Sequence, residues 1–299
     1  MNAAQTIRQN PIRKSRNYRR RQTKKAIINT ISYILLITGA IISLIPFIWM
    51  ISTSLKGRAE VFIYPPNFIP GTLRWDNYSS VFSTFPFFSY MRNTATVAVS
   101  VTIIQLVVSA TAAYAFARLD FKGRNALFFL FLGTLMVPSQ VTLIPSYIMM
   151  TDRFLALKGT LWALILPSGL GGVAFGTFML RQFMLGIPKE LEEAALIDGA
   201  SPIVSFFKII LPLSKPALAT LAVFTFMGSW NEFLWPLLML ERPELQTLTV
   251  GLAGLQTRWG TRWPELMAGS LVSIIPILLI TLFAQRYFIR GIVVSGLKG

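Results

Sequence analysis

The sequence predicts an all-α integral membrane protein with six transmembrane helices. Three observations carry that prediction. First, 54% of the residues are hydrophobic and only 13% are charged, against about 25% charged in soluble domains; the mean hydropathy is +0.58. Second, six apolar runs lie at 27–52, 94–116, 126–148, 159–180, 217–240 and 267–289, each near the ~20 residues a helix needs to cross a hydrocarbon core. Third, the runs are continuous rather than alternating, so in lipid they satisfy their backbone as helices and not as a barrel.

The charges set the orientation. The chain carries 28 Lys and Arg against 12 Asp and Glu, a net charge of +16, and their placement argues for membrane topology rather than a nucleic-acid surface. Nine basic residues lie in 1–25 (Arg8, Arg13, Lys14, Arg16, Arg19, Arg20, Arg21, Lys24 and Lys25), three in 117–125, four in 181–216 and three from Arg286 onward. With six spans these 19 share one side, and the other nine occupy the three remaining loops. The positive-inside bias puts the larger group and both termini in the cytoplasm. The expected organisation is a basic cytoplasmic N-tail (1–25), a transmembrane domain (26–289) with a cytoplasmic loop at 181–216, and a cytoplasmic C-tail (290–299).

The N-tail suits contact with anionic lipid. No folded nucleic-acid reader accompanies it, so no nucleic acid is expected as a partner. The first apolar run is too long for a secretory signal and lacks a small-residue cleavage site. With no Cys and no His, disulfides, thiolate chemistry and metal sites built on those ligands are excluded, and no metal is expected.

The 53–93 loop is external in this scheme. Tyr64-Pro65-Pro66-Asn67-Phe68-Ile69-Pro70 is extended by its prolines, and aromatic residues follow at 81–90. The loop is either an interfacial aromatic segment or a docking surface for an external protein. The second run holds Gln105, Ser109 and Thr111, polar groups able to hydrogen-bond between helices. In the third, Pro138 frees a backbone carbonyl and kinks the helix; Gln140 then lies in the outer half of the membrane as interhelix glue or as pore lining. Gly172 and Gly176 give the fourth run a small-xxx-small packing face. The fifth run starts inside near Pro216, so Asn231 and Glu232 lie in its outer half. A carboxylate there faces a cavity or a partner, or reaches the external headgroups between Trp230 and Trp235. Gln140, Asn231 and Glu232 are therefore the candidate lining of a translocation path.

The main polar interruption between the runs is Glu193-Ala194-Ala195-Leu196-Ile197-Asp198-Gly199. Pro188 opens a short helix, because its missing N–H falls where helix donors are unpaired. Glu190, Glu192 and Glu193 sit in the first turns, where the helix dipole favours carboxylates. Leu191, Ala194, Ala195 and Asp198 share one mostly small face, which lets another backbone approach. Gly199 suits the left-handed turn that ends the helix; Ser201 is the next N-cap and Pro202 the first residue of a second short helix. On the residues alone this is an amphipathic loop helix between two spans.

The spacing adds to that. Glu-Ala-Ala, three residues, Gly, nine residues, then Ile-x-Leu-Pro resembles the cytoplasmic loop signature of ABC importer permeases, and Glu193, Ala194, Ala195, Gly199, Ile209, Leu211 and Pro212 fill all seven positions. The proline-rich 64–70 segment with Thr72 to Tyr78, and Trp230-Asn231-Glu232-Phe233, look like the sugar-importer permeases of that family. Arg286-x-Phe288-x-x-Gly291 and the terminal Lys298-Gly299 are similar to the smaller, maltose-type inner permease subunit. The long basic N-tail departs from that pattern.

The resemblance implies a type I ABC importer permease fold, multi-pass in a bacterial cytoplasmic (inner) membrane, moving a mono-, di- or oligosaccharide or a glycerol-phosphate. It implies that Glu192, Glu193, Ala194, Ala195, Asp198, Gly199, Ile209, Leu211 and Pro212 couple the spans to an ATPase, and that Gly291, Gly296, Lys298 and Gly299 reach toward the ATPase dimer interface. The implied partners are a second homologous permease, two ABC ATPase subunits and an extracytoplasmic sugar-binding protein. No Gly-x-x-x-x-Gly-Lys-Ser/Thr cradle and no Gly-Lys dipeptide occurs in the chain, so the usual phosphate-binding loop is missing. The chain is expected to be no enzyme and to hold no cofactor, with ATP and Mg²⁺ on the partner ATPases. The alternative is an ion-gradient-driven secondary transporter. Its mark is internal repeats with several buried carboxylates, whereas Glu232 is the one acidic residue well inside an apolar run.

Overall fold

The computed structural model describes residues 11–84, 86–151, 153–257 and 260–295. In chain order its helices are α1 (Pro11–Ser54), α2 (Asp76–Thr84), α3 (Phe87–Arg118), α4 (Arg124–Gly133), α5 (Ser139–Met150), α6 (Trp162–Gly171) and α7 (Val173–Leu185). There follow α8 (Glu190–Ile197), α9 (Pro202–Ser205), α10 (Leu211–Leu213), α11 (Lys215–Trp230), α12 (Leu234–Met239), α13 (Leu248–Ala253) and α14 (Trp263–Ser295). A π-turn, Phe206–Ile210, joins α9 to α10. Among the described residues the one departure from an all-α chain is a two-residue antiparallel pair, β1 (Gln256–Thr257) with β2 (Gly260–Thr261).

The six apolar runs become membrane-crossing segments of two kinds. Among the described residues, Lys24–Ser54, Phe87–Arg118, Trp162–Leu185 and Trp263–Arg286 are long and apolar enough to cross as they stand. The third run is broken: α4 and α5 meet at 94°. The break falls at Pro138, which lacks an N–H and pushes Val137 into extended backbone (φ −81°, ψ 115°), so the expected kink is a full interruption. Ahead of the fifth run, the 202–213 segment meets α11 at 74°. The fifth run is itself interrupted, because α11 ends at Trp230 and helix resumes only at Leu234. Non-helical backbone at membrane depth persists only where it is buried in protein or lines a cavity.

Helix α3 is the centre of the packing. Gly172 and Gly176 let α7 lie against it: a Cβ on Gly172 would sit 2.5 Å from Gln105 Oε1, and one on Gly176 would overlap Ser109 Oγ and come within 2.9 Å of Leu221 Cδ2. Gln105 Nε2 donates to the Gly172 carbonyl at 3.0 Å and Ser109 Oγ to that of Val173 at 3.4 Å. Thr111 bonds back to its own helix, at the Val107 and Val108 carbonyls, so it does not act between helices. Three apolar clusters run along the bundle: Val81, Phe87, Trp230 and Leu248 at one end, Val101, Leu164 and Met239 in the middle, and Ala113, Leu180, Met184, Ile210 and Leu221 beside the 181–216 loop.

Helix α1 extends unbroken from the basic N-tail into the first span. It packs against α14, and its side chains from Ile27 to Ile48 are exposed, the surface of a helix that faces lipid or another membrane chain. The loop after it is held in place from several sides. Lys56 is 1% exposed; its ammonium donates to the Asn67 carbonyl and lies 4.4 Å from the centre of the Trp49 ring. Asn77 Nδ2 donates to the Ser54 and Lys56 carbonyls at 2.8 and 2.9 Å, and Arg58 pairs with Glu265 at the start of α14. Phe62, Tyr64, Ile69 and Trp75 remain exposed on this fixed scaffold.

Candidate functional site

Helix α8 starts two residues after Pro188, with Glu190, Glu192 and Glu193 in its first turn. It closes at Gly199, whose φ of +83° is left-handed as the sequence requires. Ser201 Oγ accepts from Val204 N at 3.4 Å and Pro202 opens α9. The residues expected to couple divide into two sets. Glu193, Ala194, Asp198 and Gly199 are exposed and Ala195 is half-buried. Beside them Leu191, Leu196, Ile203 and Phe207 are exposed, and Ile197 is exposed to 87%. An apolar rim of this kind outside the spans marks a docking surface.

Glu192, Ile209 and Leu211 point the other way. Glu192 Oε2 lies 2.9 Å from Arg118 Nε, with the two side chains 13% and 4% exposed. That Nε–H is not aligned with the carboxylate, so the attraction is coulombic rather than directional. The same guanidinium donates through Nη2 to the carbonyls of Met184 and Ile187, both at 2.7 Å. Tyr114 Oη lies 3.1 Å from Glu192 Oε1 and 3.0 Å from the Pro202 carbonyl, one proton between two acceptors. Glu192 thus clasps α8 to the end of α3, to the end of α7 and to α9. Ile209 and Leu211 pack on the cluster of Leu180, Ile210 and Leu221; Pro212 is exposed in α10.

Two cavities meet at the break between α11 and α12. One, of 660 Å³, is lined by Gln140, Thr142, Ser146, Ser168, Glu232 and Trp235 among others. The other, of 370 Å³, includes Gln105, Ser168, Phe175, Phe224, Thr225 and Glu232 in its wall. Ser168 and Glu232 belong to both. Glu232 Oε1 accepts from Trp235 N at 3.3 Å, capping α12, and its carbonyl accepts from Thr249 Oγ1 at 2.7 Å. Asn231 lines neither cavity; its amide donates back to Met227 O at 2.8 Å. The flanking tryptophans pin helices: Trp230 Nε1 donates to Ser273 O at 3.2 Å and Trp235 Nε1 to Ala163 O at 2.9 Å. Among the described residues no three acidic side chains converge as a metal site needs.

Residues 105–294 match the family of binding-protein-dependent transport system inner membrane components. The chain is also 38% identical to the arabinooligosaccharides transport system permease protein AraQ of Halalkalibacterium halodurans, over 87% of this chain and 93% of that protein. The chain belongs to this family. The permease is likewise 36% identical to the sn-glycerol-3-phosphate transport system permease protein UgpE of Pectobacterium atrosepticum, covering 90% of this chain and 97% of that protein. Its fold matches a bacterial ABC transporter involved in the import of the acidic polysaccharide alginate, with a TM-score of 0.77 at 25% identity over 89% of this chain and 98% of that one. The fold is that of a type I ABC importer permease.

Tyr114, Arg118 and Ser168 are among the residues of these candidate sites that were not singled out in the sequence. Tyr114 and Arg118 stand at i and i+4 at the C-terminal end of the second run, a shared helix face that was readable. Their partner Glu192 is 78 residues from Tyr114, beyond any local pattern. Of the C-tail candidates, Gly291 falls in the last turns of α14, and Gly296, Lys298 and Gly299 lie outside the described residues, as do residues 1–10 of the N-tail.

Proposed function

We propose that the permease is the membrane subunit of an ABC importer that carries a sugar into the cell, paired with a second, homologous permease. Two ABC ATPase subunits inside bind the ATP and Mg²⁺, and a sugar-binding protein outside delivers the cargo; this chain holds no cofactor and hydrolyses nothing. The relatives' names and the family's dependence on a binding protein support the cargo class and the external partner. The charge asymmetry of the loops supports cytoplasmic termini, with the basic N-tail against anionic lipid. Gly291, Gly296, Lys298 and Gly299 are proposed as a C-terminal ATPase contact.

The observation that carries this reading is the two-sidedness of α8. Its outer face presents Glu193, Ala194 and Ile197 to a partner, while its inner face is fastened through Glu192 to α3 and α7. A helix held in this way transmits displacement: when the ATPases close on α8, the ends of α3 and α7 move with it. The spans tilt from inward-open to outward-open, and the cavities at Glu232 become accessible to the binding protein. The test is purification of the permease from its native membrane. The expected result is a stoichiometric complex with ATPase subunits, reduced by Glu193→Lys; a permease that transports sugar when purified without any ATPase rejects the reading.

A further inference from the structure

The relatives differ in the charge of the solutes they are named for. One relative is named for arabinooligosaccharides, which are uncharged, while others are named for glycerol-3-phosphate and alginate, which are anions. We propose that the path through this permease admits uncharged sugars and excludes anionic ones, and that Glu232 sets the selection. The proposal rests on the two cavities being the translocation path.

Three observations support it. Glu232 is the one ionisable side chain among the described residues that line either cavity; no Lys or Arg stands in either wall. It belongs to both cavities, so a solute moving between them passes it. Its Oε1 is engaged by the Trp235 amide, which fixes the carboxylate at the junction. The rest of the lining suits a neutral sugar. Gln140 and Ser168 exchange hydrogen bonds with sugar hydroxyls, and Phe224 and Trp235 stand in the walls beside them. A carboxylate accepts two hydroxyls in charge-assisted bonds. A phosphate, sulfonate or uronate in the same place meets a like charge and no compensating cation. At about 6 Å in a partly watered cavity that repulsion lowers occupancy roughly tenfold.

The test uses the complete importer and needs no knowledge of its sugar. The chain has no cysteine, so Ser168→Cys puts a single thiol on the wall common to both cavities. Its labelling rate, read as a mass shift on this chain, is measured with hydroxyethyl methanethiosulfonate, which is neutral, and with sulfonatoethyl methanethiosulfonate, which is an anion. Each rate is divided by that of a free thiol in solution. The normalised neutral-to-anion ratio is expected to be about ten and to fall to near one when Glu232→Gln is added. A ratio that Glu232→Gln leaves unchanged, or a preference for the anion, overturns the selection while the path itself stands. A thiol that reacts with neither reagent, with or without ATP, overturns the path and the selection together.

Discussion

Replacing Glu192 by Gln removes one negative charge from the clasp while keeping the length of the side chain. Arg118 is 4% exposed at its side chain, so the guanidinium cannot recover the lost attraction from water. Removing one partner of a fully buried pair costs about 3–5 kcal/mol. Here the loss is smaller, because Arg118 keeps its bonds to Met184 O and Ile187 O and the new amide oxygen still accepts from Tyr114. A loss of ~2 kcal/mol follows, and at 1.4 kcal/mol per tenfold the fastened position of α8 becomes about thirtyfold less favoured. The outer face of α8 is untouched, so the ATPases still bind. The assay is sugar imported per ATP hydrolysed in proteoliposomes holding the whole complex. This ratio is expected to fall while ATPase co-purification stays normal. Adding Arg118→Gln to Glu192→Gln should cost less than the sum of the two single changes, since the neutral pair leaves no stranded charge. An unchanged import-to-hydrolysis ratio in Glu192→Gln refutes the lever.

Gly199→Val should disturb the 181–216 loop through its backbone alone. Nothing lies within 4 Å of a Cβ there, so its cost is the left-handed φ, at least ~1–2 kcal/mol for a β-branched residue, and Gly199→Asn should retain most uptake. Gly176→Ala should lower thermal stability by about 1–3 kcal/mol through overpacking, with Ser109→Gly recovering part of it because Ser109 Oγ is the nearest obstruction, ahead of Leu221 Cδ2; equal melting temperatures for wild type and Gly176→Ala count against the α3–α7 contact. Single cysteines placed by Thr72→Cys and Ser201→Cys should label from outside and from inside respectively; external labelling of Ser201→Cys in intact cells overturns the topology.

The spans were legible because length and hydropathy are local properties, and each apolar run contains a helix of the fold. Gly199, Ser201 and Pro202 were legible for the same reason: a left-handed turn, a cap and a helix start are decided within a few residues. Gly172 and Gly176 were read correctly as a packing face, because small residues four apart on an apolar helix have little other use. The interruption at 231–233 was hidden, since one carboxylate in an apolar run does not announce that the helix stops there. It stops because Glu232 caps α12 and its carbonyl is taken by Thr249, a contact made across 17 residues. The division of the 181–216 loop into an outer and an inner face was hidden too. Glu192 and Glu193 are neighbours in sequence with the same chemistry, and only the position of Arg118 tells them apart.

Whether α8 drives the spans is read from sugar-stimulated ATP hydrolysis by the reconstituted complex, measured for the wild type and for Glu193→Lys. Glu193 is exposed on α8 and lies in no apolar run, so the variant inserts and folds as the wild type does. If α8 drives the spans through its contact with the ATPases, the reversed charge abolishes stimulation by sugar and binding protein while leaving basal hydrolysis. If Glu193→Lys keeps wild-type stimulation, α8 is a passive connector and does not drive the spans.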